Sequence, residues 1–348
     1  MKHFFTKIIF LCFSITSTFG QITDVVTGLN SPRGILFIGN NLYIAETNSS
    51  RILKVDISET TPTTTNIASG FNAPYNIAFN GNELYVTERL GNRISKVDIS
   101  TTSPMVTEVV TGFHSPYGIA FNGNDLYISA GYRGKILKVD ITATSPIVTE
   151  VVTGFKTPYS IAFNGNDLYI AEFTGSKISK VDISATSPIV TEVVTGLINP
   201  WGITFKGNDL YIAEFGGNKI SKIDITTTTP VLTDVVTGLN FPRDIKFKGD
   251  VLYISEANKI SKVDINTLST NDIIVKKFKS KLFPNPSSNF VNLSGLIKKE
   301  KYKIYNVMGS EIKKGTIFNN IPINIKNFSN GLYFLKFENG NTIKFIKE

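Results

Sequence analysis

Six side chains recur at one position of the sequence, and most of its chemistry gathers there. Arg33, Tyr75, Tyr117, Tyr159, Trp201 and Arg243 stand 42 residues apart, and each follows a proline (Pro32, Pro74, Pro116, Pro158, Pro200 and Pro242). Aromatic faces offer stacking to sugars and peptides, and guanidinium groups offer charged donors to anionic ligands. A second variable segment adds Arg89, Tyr132, Arg133, Phe173 and Phe215. The residues directly after the six are Gly34, Asn76, Gly118, Ser160, Gly202 and Asp244. Asn76 and Asp244 carry oxygens suited to a hard divalent cation such as Ca²⁺. The competing use of such side chains is to cap nearby backbone N–H groups.

Other catalytic resources are sparse. Beyond the first twenty residues the chain has one histidine, His114, and no cysteine, since Cys12 precedes Gly20. A multi-histidine zinc site and thiolate chemistry are therefore excluded, and no G-x-S-x-G elbow accompanies the histidine. Five glutamates, Glu46, Glu88, Glu172, Glu214 and Glu256, recur with a cation shortly after each: Arg51, Arg93, Lys177, Lys219 and Lys259. That pairing suits loop bracing by a carboxylate that accepts backbone N–H groups and a cation. The third copy has Ala130 in the glutamate's place, which marks it as the specialised unit.

The 42-residue period supplies the elements that must position these groups. The third unit, EVVTGFHSPYGIAFNGNDLYISAGYRGKILKVDITATSPIVT (108–149), holds four strand-like runs separated by turn signals. PYGIAF and LYIS flank an Asn-Gly turn, then KILKVDI and IVTEVVT follow, all rich in β-branched and aromatic residues. Apolar residues on both parities of GIAF and LYI require sheet faces covered on both sides. A four-stranded unit of about 40–45 residues covered on both sides is a propeller blade. TDVVTGL (23–29) is a fourth-strand sequence standing ahead of the first PRGILF, placed to complete the last blade. The fold class read from this pattern is all-β: a six-bladed β-propeller over residues 21–275, followed by a small C-terminal β-sandwich over 276–348. In an up-and-down blade both variable segments emerge on one face, so the six recurring side chains form a ring around the channel mouth.

The run PRGI…LYIAETNSSRILKVD (32–56) resembles the NHL-type propeller repeat, with Glu for its usual Asp and, in later blades, Lys for Arg51. The resemblance implies the fold, not an activity. Six-bladed lactonases of the gluconolactonase type hold a divalent cation at the channel mouth through Glu, Asn and Asp. By that resemblance Asn76 and Asp244 are the candidate ligands, although that family's local motifs are not visible here.

Residues 1–20 combine Lys2 and Lys7 with an apolar run from Ile8 to Phe13, the layout of a signal peptide cleaved near residue 20. No later run is long enough for a transmembrane helix. After DIIVKKFKSK (272–281) the period stops. The tail resembles the C-terminal sorting domain of the type IX secretion system through Pro284-Asn285-Pro286, Ile304-Tyr305-Asn306 with Gly309, and Asn330-Gly331-Leu332-Tyr333. That resemblance implies contact with the secretion machinery and delivery to the cell surface or medium. The net charge of +8 is concentrated in this tail, where fourteen lysines face four acids over 276–348. Residues 21–275 hold twenty basic and twenty-four acidic side chains, which argues against nucleic-acid binding.

The expected function is recognition of a glycan, peptide or protein by a monomeric exported propeller, through Arg33, Tyr75, Tyr117, Tyr159, Trp201, Arg243, Tyr132 and Arg133, with no cofactor. The alternatives are a divalent-metal-dependent lactonase, hydrolase or lyase centred on Asn76 and Asp244, and a structural surface protein without a small ligand.

Overall fold

The computed structural model describes residues 22–266, 281–294, 299–318, 321–337 and 342–348. The expected leader and the expected domain junction near residue 275 lie outside them. Two compact units, 1–273 and 274–348, divide the chain.

In the first unit every 42-residue repeat folds into an antiparallel meander of four strands. The third runs through Pro116–Asn122, Asp125–Ala130, Lys135–Asp140 and Val148–Thr153. Leu126, Tyr127 and Ile128 on its second strand are buried on both faces because a neighbouring blade covers each side. The fourth strand is the outer one, and Thr149, Glu150 and Thr153 are exposed there. Blade seams repeat one aromatic contact: Tyr85 against Phe121, Tyr127 against Phe163 and Tyr169 against Phe205, edge to face at 5.0–5.1 Å. Each such pair contributes about 0.5–1.5 kcal/mol beyond its buried area.

The ring closes as the stray strand predicts. Thr23–Thr27 pairs with Lys259–Asp264 as the fourth strand of the sixth blade, beside Val251–Ser255 and Ile245–Lys248. Tyr253 meets Phe37 across the closing seam at 4.9 Å, the same contact as at the other seams.

The C-terminal unit has a sheet of Lys281–Phe283, Phe290–Ser294 and Ile323–Asn324, and a second of Glu311–Ile317, Glu300–Asn306, Gly331–Phe337 and Thr342–Lys347 in that spatial order. Val291, Leu293, Ile304, Leu335 and Phe345 share its core, which makes it a small sandwich. Among the described residues no helix is long and apolar enough to cross a membrane.

The channel mouth as candidate functional site

Two loops of each blade meet at one end of the propeller: the loop that enters the first strand and the loop that leaves the second. The residue before each proline takes a left-handed backbone, at Ser31, Ala73, Ser115, Thr157, Asn199 and Phe241 (φ 52–61°). For a β-branched Thr157 or a bulky Phe241 this conformation is strained, and it persists only where surroundings hold it. Hydrogen bonds between the two loops hold it here: Arg89 N–H donates to the Ala73 carbonyl (3.0 Å) and Phe173 N–H to that of Thr157 (3.1 Å).

The recurring glutamates complete the brace. Glu88 accepts the Asn72 N–H (2.5 Å), Arg93 Nε (2.8 Å) and the Ser95 hydroxyl, and is fully buried. Glu172 does the same for Lys156 N–H and Ser179, with Lys177 Nζ at 3.7 Å. Glu46 receives the Asn30 N–H and Arg51. Burial alone would raise the Glu46 pKa, but hydrogen bonds from Arg51, Asn30 and Ser49 outweigh it and hold the carboxyl below its usual value. In the third blade Ala130 is buried and supplies no carboxylate for the brace; Leu137 stands where the second and fourth blades have Ser95 and Ser179, as Leu53 does in the first blade. Lys135 pairs with Glu150 instead (2.5 Å). The loop there is a short 3-10 turn, Gly131–Arg133. The first blade, which keeps Glu46, has the same turn at Thr47–Ser49, so loss of the glutamate does not by itself reshape the loop. Two features set this loop apart. The third blade carries Arg133 where the second, fourth and fifth carry Gly91, Gly175 and Gly217, and the first carries Ser49 there beside its braced glutamate. Arg133 reaches His114 Nε2 (2.7 Å). A Cβ on Gly131 would lie 2.0 Å from the Tyr117 ring, so that glycine admits the ring against its backbone.

The ring of recurring side chains is assembled, but as a plug rather than an open platform. Tyr75, Tyr117 and Trp201 are buried (3, 3 and 8% exposed) and pack together with Tyr159, Phe173 and Phe215. Tyr75 stacks on Trp201 at 5.9 Å, Tyr159 on Phe173 at 4.6 Å, and Tyr117 meets Tyr75 edge-on at 4.7 Å. Six inward side chains converge on one axis, so their faces satisfy each other. Burial, with the neighbouring Tyr159 charge second, raises the Tyr117 phenol pKa.

The cations of the ring lie on this plug. The Arg33 guanidinium carbon sits 4.5 Å from the Tyr75 centroid and 5.1 Å from that of Trp201. Arg243 donates to Ser31 Oγ (3.2 Å) and to the Pro32 carbonyl (3.0 Å), tying the last blade to the first. Burial, and then repulsion from Arg33, pushes the Arg243 pKa down to about 10. Arg33 Nε, Arg89 Nε and Arg243 Nε are buried without an acceptor.

Sequence reasoning missed three exposed apolar side chains on the same loops: Leu90, Ile198 and Phe241. Phe241 is 44% exposed and packs on Phe215 at 4.9 Å, and Tyr132 is 72% exposed. The signal was present, since these positions vary between repeats, but only exposure separates them from the buried ring.

Beneath the plug, Gly34, Asn76, Gly118, Ser160, Gly202 and Asp244, one from each blade, line a cavity of about 10 Å³. That volume is at the lower limit for one water. Asn76 and Asp244 do share this hub, yet their oxygens are engaged. Asp244 accepts the N–H groups of Ile35 and Ile245 (2.9 Å each) and the Lys246 ammonium (3.1 Å). Asn76 accepts the Ile77 N–H (2.7 Å). A calcium site needs six to eight oxygens and no competing ammonium, so these residues do not fit a divalent cation. Among the described residues no group of three or more acidic, histidine or cysteine side chains is placed to hold a metal. A larger cavity, about 390 Å³, belongs to the C-terminal unit and is lined by Tyr302, Tyr305, Phe337 and lysine side chains.

Residues 281–348 match the family described as the secretion system C-terminal sorting domain. No curated protein matches the chain. Among solved structures, the catalytically inactive form of virginiamycin B lyase from Staphylococcus aureus with quinupristin aligns with a TM-score of 0.53 and 20% identity, over 79% of this chain and 94% of that one. A candidate gluconolactonase aligns with a TM-score of 0.60 and 9% identity, over 70% and 91%. The nidogen/laminin complex aligns with a TM-score of 0.54 and 16% identity, over 79% and 92%. At these identities the likeness is one of fold. The chain is a β-propeller with a type IX sorting tail, exported to the cell surface or medium.

Proposed function

We propose that the exported propeller is a recognition protein that binds a glycan, peptide or protein ligand across its channel mouth. The observation that carries this reading is the grouping of exposed Leu90, Tyr132, Ile198 and Phe241 with ring arginines that have no carboxylate partner among the described residues, all on one set of loops. Braced loops support it further, because a surface held by buried glutamates loses little entropy on binding. The neighbours of similar fold act as lyase and candidate lactonase in two cases, while nidogen is in complex with laminin in the third. A reaction centred on Asn76 and Asp244 draws no support from a hub of about 10 Å³ closed by six aromatic rings.

The test is a glycan and peptide array probed with the wild-type protein and with the double variant Tyr132→Ala, Phe241→Ala. Both side chains are exposed, so the variant is expected to melt like the wild type and to lose array binding. Undiminished binding by the double variant rules the mouth out as the recognition surface.

A further inference from the structure

We propose that the ligand of the channel mouth is an acidic polypeptide segment, whose carboxylates pair with Arg243, Arg33, Arg89 and Arg133 and whose apolar side chains cover Leu90, Tyr132, Ile198 and Phe241. This rests on the binding role proposed for the mouth and specifies its chemistry.

The chain has six arginines, at 33, 51, 89, 93, 133 and 243. Arg51 and Arg93 pair with the buried Glu46 and Glu88. Among the described residues the other four have no carboxylate within ion-pair distance, and all four stand at the mouth. They are partly desolvated as well: the Nε–H groups of Arg33, Arg89 and Arg243 are buried without an acceptor. Placing cations in a low-dielectric site without a counter-charge costs stability, and an anionic ligand repays that cost on binding.

The surrounding loops expose no acid of their own. Two of the twelve mouth loops contain an acid, Asp244 and Glu256 of the sixth blade, and both are buried (2 and 1% exposed), as are the glutamates that end the second strands of the other blades. Acids collect at the opposite end of the blades, where Asp125 faces Asp140 across the second and third strands, an arrangement repeated in the fourth and fifth blades. The propeller's small net negative charge therefore conceals a positive mouth.

Order around the ring suggests a linear ligand. Arg243, Arg33, Arg89 and Arg133 belong to the sixth, first, second and third blades, which are consecutive once the ring is closed. A chain carrying several carboxylates meets such an arc one charge after another. The apolar component favours polypeptide over polysaccharide. Sugars stack on open ring faces, but Tyr75, Tyr117 and Trp201 are buried against each other, and two of the four exposed apolar groups, Leu90 and Ile198, have no ring.

The experiment uses the full-length protein and three probes: a fluorescein-labelled peptide of alternating glutamate and leucine, the same peptide with lysine for glutamate, and labelled polygalacturonate. Fluorescence anisotropy is read from low to moderate salt, for the wild type and for Arg89→Gln with Arg133→Gln, rim positions that leave Arg33 and Arg243 in the plug. The Glu–Leu peptide is expected to bind, and to weaken about tenfold for each arginine removed and steeply with salt. The lysine peptide is expected not to bind. Binding of polygalacturonate without the Glu–Leu peptide overturns the polypeptide assignment in favour of an acidic glycan. Equal binding of both peptides, or no effect of the arginine variant, overturns the role of charge while leaving the mouth as a binding surface. Absence of binding by all three probes overturns this inference alone, provided that the array still distinguishes the wild type from the Tyr132/Phe241 variant.

Discussion

Replacing Glu88 with alanine tests whether the buried carboxylates hold the mouth loops in place. The substitution removes the acceptor of three groups at once: the Asn72 N–H at 2.5 Å, the Arg93 guanidinium at 2.8 and 3.1 Å, and the fully buried Ser95 hydroxyl. Breaking a buried ion pair by deleting one partner costs about 3–5 kcal/mol. Arg93 is 29% exposed and keeps Glu108 at 3.3 Å, which places this case at the lower end, about 3 kcal/mol. For a domain of this size that corresponds to a fall in Tm of about 6–12 °C. The assay is a thermal melt of the full-length protein followed by circular dichroism, with Arg93→Ala and the double variant alongside. Because part of the cost is the stranded guanidinium, Glu88→Ala with Arg93→Ala is expected to be less destabilised than the sum of the single variants. A fall below about 2 °C for Glu88→Ala, or strict additivity in the double variant, would refute the bracing argument.

Three further outcomes follow from the same geometry. Glu46 has its folded-state pKa lowered, so its stabilisation is complete above the unfolded carboxylate value and is lost as pH falls through the folded one. The melting gap between wild type and Glu46→Gln should therefore be widest near neutral pH and close on acidification below about pH 4; a gap that widens on acidification contradicts the assignment. Asp244→Ala strands the buried Ile35 and Ile245 N–H groups, removes the partner of Lys246, and is expected to lower Tm markedly. Calcium or chelator should leave the wild-type melt unchanged, since a specifically bound ion at a hundredfold excess over Kd would add about 2.7 kcal/mol.

Much of this architecture is written into local sequence. A 42-residue period, prolines at the strand entries and Asn-Gly turns each constrain the backbone nearby, and together they specify blades and their number. The stray TDVVT run announces ring closure because it is a fourth strand without its own first three. The glutamate braces were legible too, since a carboxylate followed at fixed spacing by a cation is itself a local pattern. Even Ala130 is visible as the exception, although the first blade's identical turn shows that loss of the glutamate does not by itself set the loop shape.

What repetition does not reveal is how much room six copies share where they converge. Whether Tyr75, Tyr117 and Trp201 form an open platform or a closed plug depends on the diameter of the ring, a sum over all blades that no single repeat contains. The same holds for Asp244, whose partner Ile35 lies 209 residues away and across the closing seam. The left-handed residues before the prolines carry no sequence mark, being Ser, Ala, Ser, Thr, Asn and Phe rather than glycine, because the strain is imposed by hydrogen bonds between loops. And the sequence counts arginines without saying which are paired. The fold decides that, by bringing carboxylates to Arg51 and Arg93 and, among the described residues, none to the four at the mouth. Patterns of neighbouring residues therefore determined the blades, while contacts between blades determined the site.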